Sequence, residues 1–67
     1  MELIINGEQR QLPEGLTAAA LLEQLGVQAE RVVVEVNLGI LKRAQLAETI
    51  LNAGDQVEIV RLVGGGT

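Results

Sequence analysis

The chain has no cysteine, no histidine, no phenylalanine, tyrosine or tryptophan, and a single proline. Without thiols there is neither a disulfide staple nor a thiolate metal site, and without imidazole any metal would fall to scattered carboxylates. Serine–histidine and cysteine–histidine nucleophile machinery is excluded for the same reason, so the residues predict a protein that is not itself an enzyme and binds no metal. No ring is available to stack on a nucleobase. The five cations, Arg10, Arg31, Lys42, Arg43 and Arg61, are spread along a chain of net charge −4, which argues against nucleic acid as a partner. The apolar runs are far shorter than a membrane span, and Met1-Glu2-Leu3 lacks the charged and apolar regions of a signal peptide. Together these absences predict a soluble, cytoplasmic protein of a reducing interior, with no membrane association.

What remains is aliphatic. Leucine, isoleucine, valine and alanine arrive in short runs separated by glycine or asparagine, and they must supply the core alone. At 67 residues the chain is one domain, small enough to bury only about 60% of the surface its unfolded form would expose. There is no internal repeat, linker or second domain.

Glu2 to Asn6 reads as a strand, and Asn6-Gly7 is the dipeptide favoured by a hairpin turn whose two central residues both need positive φ. Glu8 to Leu12 returns as a polar edge strand. Pro13-Glu14-Gly15 breaks it, and Thr17 is placed to cap a helix from Ala18 to about Leu25, with Leu16 and Leu21 spaced as a hydrophobic staple. Leu21, Leu22 and Leu25 form the predicted buried stripe of that helix, and Gly26 sits where a left-handed cap belongs. Arg31 to Asn37 is the clearest strand, expected at the centre of the sheet, with Val32, Val34 and Val36 on one face and Val33 and Glu35 on the other. A tight turn at Asn37-Leu38-Gly39 leads to a short strand from Ile40 to Lys42. Residues 43–51 read as a helical turn, with Leu46 and Ile50 at helical spacing. Asn52 to Asp55 is a turn, and Gln56 to Leu62 is the last strand. This order predicts an α+β roll, a mixed sheet with one helix packed across it.

The last strand issues into Val63-Gly64-Gly65-Gly66-Thr67. Glycine has no Cβ, so such a run can straighten and enter a slot that larger side chains would block. The candidate reactive group is therefore a backbone carboxylate and not a side chain. The expected division is a folded domain over 1–63 and a flexible glycine tail over 64–67. If Val57 and Ile59 face the helix, strand alternation places Val60 and Leu62 on the opposite face, just before the glycines. With Val63 they form a candidate partner surface. The glycine run is not a phosphate loop, because neither Lys-Ser/Thr nor a helix follows it.

The hairpin Leu3-Ile4-Ile5-Asn6-Gly7, the segment Val34-Glu35-Val36-Asn37 before Ile40, and above all Gly54-Asp55-Gln56-Val57-Glu58-Ile59-Val60 leading to the glycines resemble the ThiS-like sulfur carriers of thiamine biosynthesis. The resemblance covers essentially the whole chain. It implies a ubiquitin-like β-grasp fold in which the first and last strands lie parallel at the middle of the sheet. It also implies that the carboxylate of Gly66 is adenylated by a ubiquitin-activating-type adenylyltransferase, which supplies the ATP site, while Gly64 and Gly65 serve in recognition of the tail. A sulfur donor system would then convert the adenylate to a thiocarboxylate, and thiazole synthase would receive the sulfur. No cofactor would be bound by the chain itself. After Ile40 the family often continues Val-Pro-Arg and an aromatic residue, where this chain has Leu41, Lys42 and Arg43. Thr67 follows the matching Gly65-Gly66 pair, so activation would require either removing Thr67 or tolerating it, and the resemblance implies a protease as the means of removal. Other readings are another sulfur carrier of the same fold, such as the small subunit of molybdopterin synthase or a carrier for cysteine biosynthesis, or a ubiquitin-like binding module or protein modifier whose glycine is joined to a lysine.

Overall fold

A computed structural model describes residues 1–62. Its elements follow in the order β1 (Glu2–Ile5), β2 (Glu8–Gln11), α1 (Ala18–Leu25), a 3-10 turn (Ala29–Arg31), β3 (Val32–Val36), β4 (Gly39–Leu41), α2 (Arg43–Leu46) and β5 (Gln56–Arg61). The five strands form one mixed sheet in the order β2-β1-β5-β3-β4. β1 and β5 are parallel neighbours, as the resemblance implied, and every other pairing is antiparallel. The central strand is β5. The expectation that Val32–Val36 would be central is corrected: β3 lies one place out, between β5 and the short edge strand β4.

Both tight hairpins arise from local conformation. Ile5 pairs with Glu8 across Asn6-Gly7, whose φ angles are 51° and 83°, the arrangement in which both central residues turn left-handed and the strands keep their twist. The second hairpin pairs Val36 with Gly39 across Asn37 (φ 50°) and Leu38 (φ 73°). A leucine at such an angle is sterically unfavourable, and here it projects into solvent at 88% exposure.

α1 begins and ends where its caps dictate. The Thr17 hydroxyl accepts from the Ala20 amide at 3.1 Å, and Gly26 takes the left-handed conformation at φ 71°. Leu16 and Leu21 are both buried, in keeping with the staple. The inward stripe is Ala18, Leu21 and Leu22, with Leu25 only half-buried. These side chains meet Leu3, Ile5, Val34 and Val57 from the sheet, and Leu46 and Leu51 close the end of the core.

The segment after β4 differs from its expected pattern. α2 occupies Arg43–Leu46 and gives the chain a second, short helix, its first turn fixed by the Gln45 side chain accepting from the Lys42 amide at 2.8 Å. Leu46 is buried, but Ile50 is exposed and Leu51 takes the inward place. Tertiary hydrogen bonds decide this: the Ala18 amide donates to the Thr49 carbonyl and the Leu51 amide to the Leu16 carbonyl, so residues 49–51 run extended beside the start of α1. Helical spacing of Leu46 and Ile50 is broken where that bridge begins.

Candidate functional site

The site is the distal half of β5 and the sheet face turned away from α1. Along β5, Val57 is fully buried and Ile59 packs against the core, while Val60 is 51% exposed. Leu62, one residue beyond the strand and also 51% exposed, stays in register because its amide donates to the Arg31 carbonyl at 2.8 Å. The alternation expected for Val57, Ile59, Val60 and Leu62 is therefore observed. Val63, Gly64, Gly65, Gly66 and Thr67, which include the expected modification and tail-recognition positions, lie outside the described residues.

Register assembles a larger surface than the last strand alone suggested. Val33 stands directly opposite Val60, and Ile40 stands opposite Glu35, which puts both apolar side chains on the outer face. Ile40 is among the most exposed large aliphatics of the molecule. Between these aliphatics Glu35 and Glu58 are paired across β3 and β5. Like charges placed directly opposite each other weaken a sheet, so this pair is a cost to the isolated fold. Val33, Ile40 and the Glu35–Glu58 pair were missed as site residues. The available signal was the Asn37-Leu38 turn: a two-residue loop fixes Glu35 against Ile40 and so assigns their common face.

The strand that carries this surface is gripped unevenly. β1 pairs with β5 only through Ile4–Gln56 and Ile5–Val57, whereas β3 pairs along the whole of Val57–Arg61. Where β1 stops, the Asn6 side chain replaces it: its Oδ1 accepts from the Ile59 amide at 2.8 Å and its Nδ2 donates to the Ile59 carbonyl at 3.3 Å. At the base of the strand, the Asn37 side chain accepts from the Gln56 amide and donates to Asp55, while Asp55 accepts from the Asn52 amide. Side-chain amides thus supply backbone pairing at the foot of β5 and at Ile59, where the neighbouring strands leave it open.

Among the described residues, no group of three or more metal-ligating side chains could hold a metal ion, and no helix is long and apolar enough to cross a membrane. What the described residues present here is an apolar sheet face with an opposed pair of carboxylates.

Comparison with known proteins agrees with that geometry. The model of the ThiS family matches residues 3–66. The chain is 45% identical over 67 residues to a thiazole synthase of Paramagnetospirillum magneticum, covering all of this chain and 21% of that protein. It is 32% identical over 66 residues to the sulfur carrier protein ThiS of Escherichia coli, covering 98% of this chain and 100% of that one. Thus the chain spans about a fifth of the length of the thiazole synthases it matches, but the whole of the free-standing carrier. The crystal structure of the thiamine biosynthesis protein ThiS from Geobacter metallireducens superposes with a TM-score of 0.86 at 39% identity, over 98% of this chain and 100% of that one. Fold, extent and sequence concur, and the chain belongs to the ThiS family, with a ubiquitin-like β-grasp fold.

Proposed function

We propose that the chain carries sulfur as a thiocarboxylate on Gly66 and delivers it for thiazole formation. The observation that carries this reading is the extent of the family match, which takes in the whole fold and runs through the glycines to residue 66. A carboxylate is a poor acyl donor. Attack of its oxygen on the α-phosphorus of ATP releases pyrophosphate and leaves an acyl adenylate, from which a sulfur nucleophile displaces AMP. The chain contributes the acyl group, and the adenylyltransferase contributes the nucleotide site and metal. Gly64 and Gly65 allow passage into its channel.

Val60 and Leu62, joined by Val33 and Ile40, form the surface that docks on the activating enzyme, with Val63 as the next residue in the chain, since exposed apolar side chains supply the contacts that dominate such interfaces. Thiazole synthase is the proposed recipient of the sulfur. Support comes from relatives of that name in which the stretch similar to this chain forms about a fifth of the polypeptide.

Thr67 provides the test. A chain ending at Gly66, incubated with the adenylyltransferase, ATP and sulfide, should gain the mass of an oxygen-to-sulfur exchange. The full chain should stay unchanged until Thr67 is removed, because its carboxylate is displaced by one residue and its β-branched side chain meets a channel shaped for glycine. A thiocarboxylate on intact Thr67 would move the reactive position. Ladders of conjugates on lysines in place of a thiocarboxylate would make the protein a modifier.

A further inference from the structure

On the other face of the sheet, a groove of about 550 Å³ opens between the C-terminal end of α1 and the distal half of β5. Leu25, Val27 and Ile59, all partly buried, form its apolar floor, and Arg10, Arg61 and Gln24 line its rim. A smaller adjoining cavity shares Val27 and Arg61 and adds Arg31. Three of the chain's five cations therefore line these two cavities, in a protein whose net charge is −4. Glu8 is the only carboxylate among the residues lining the two cavities. Register sets both arginines on the inner face but at opposite ends of the groove: Arg10 is level with Leu3 on the β1–β2 hairpin and Arg61 with Val32 on the β3–β5 pair, and Glu8 lies between them on that face, beside Ile5.

The groove also exposes a strand edge. Because the Leu62 amide bonds to Arg31 on the β3 side, the backbone N–H and C=O of Arg61 point the opposite way, towards the β1 side. The β1 register ends at Val57 and the Asn6 side chain occupies Ile59, so among the described residues no strand pairs with Arg61 on that side. Small-molecule sites enclose most of their ligand, whereas this groove is open along one side and bounded by a backbone rung that no strand among the described residues pairs with. That form suits a chain segment.

We infer that the groove binds an extended, acidic segment of a partner protein, which hydrogen-bonds to the backbone of Arg61, sets one carboxylate against Arg61 and another against Arg10, and lays an aliphatic side chain on Leu25, Val27 and Ile59. Guanidinium forks favour carboxylates in paired geometry, and strand addition supplies main-chain affinity. The contact is independent of the chemistry at Gly66 and lies on the sheet face opposite Val60.

The full chain, labelled with nitrogen-15, is titrated with a short synthetic peptide alternating leucine with glutamate, followed by amide shifts. Shifts confined to Gln24, Val27, Ile59 and Arg61 are expected. Arg61→Gln and Arg10→Gln, both at exposed positions, should each weaken binding about tenfold, and Glu8→Gln should tighten it. Equal binding of a leucine–glutamine peptide, unchanged affinity in both arginine variants, or shifts scattered over the surface would overturn the inference. The same shifts produced by inorganic phosphate at the same concentration would also overturn it, leaving a plain anion site.

Discussion

The two faces of the sheet are made from the same aliphatic alphabet and do opposite work. Val57 and Val60 are chemically identical and three residues apart on one strand, yet one is fully buried beneath α1 and the other is half in water. The inner face is covered by Leu21 and Leu22 and holds the fold together. The outer face keeps Val33, Ile40, Val60 and Leu62 around an opposed pair of carboxylates and has no covering element among the described residues. Residue type therefore says little about role in this chain, and strand parity says most of it.

Substitutions that treat the two faces alike should separate them. The largest effect is expected from Val34→Asp, which places an unpaired charge among buried aliphatics and should remove most of the domain's stability, roughly 4 kcal/mol or more. Loss of the cooperative thermal transition is the measurement. Val60→Asp and Leu62→Asp should shift stability by only about 0.5 kcal/mol while weakening binding to the activating enzyme about tenfold or more. Calorimetry on the same samples reads both. Unfolding by Val60→Asp, or unchanged affinity in both variants, would break the contrast.

Asn6→Gly tests the junction between the faces. It keeps the left-handed turn but removes both bonds to Ile59, and urea unfolding should show a loss of about 1–2 kcal/mol. The smallest effect, and of opposite sign, is expected from Glu58→Gln. Relief of the like-charge pair with Glu35 should stabilise the isolated protein by a few tenths of a kcal/mol, about 0.2–1 at most, and the gain should shrink as salt is added. A loss of stability there would mean that the two carboxylates are not in opposition.

Much of this was legible in the chain because it is local. Asn6-Gly7, Thr17 and Gly26 determine a turn and two helix ends through their own φ angles and side chains, and alternation in Gln56 to Leu62 assigns inner and outer positions without reference to any other segment. What was not legible depends on segments distant in sequence. The valine-rich β3 reads as the middle of the sheet by composition, but pairing order made β5 central. Ile50 lost the inward place to Leu51 because the start of α1 captures the backbone of residues 49–51. Arg10 and Arg61 line one groove only because β1 and β5 are neighbours, which no local pattern announces.

The uneven grip on β5 has a mechanical consequence. Tension applied at Leu62 in the direction of β5 loads the strand along its own axis. β3 lies antiparallel beside it from Val57 to Arg61, and β1 lies parallel at its base, so the load falls across several backbone hydrogen bonds at once, in shear. Bonds loaded together resist far better than bonds opened one after another, as in a zipper. The strand behaves as a beam embedded at its foot, with Asn6 as the last bolt on one side and β3 bracing the other side out to Leu62. Such tension is thus delivered to the centre of the sheet without peeling it.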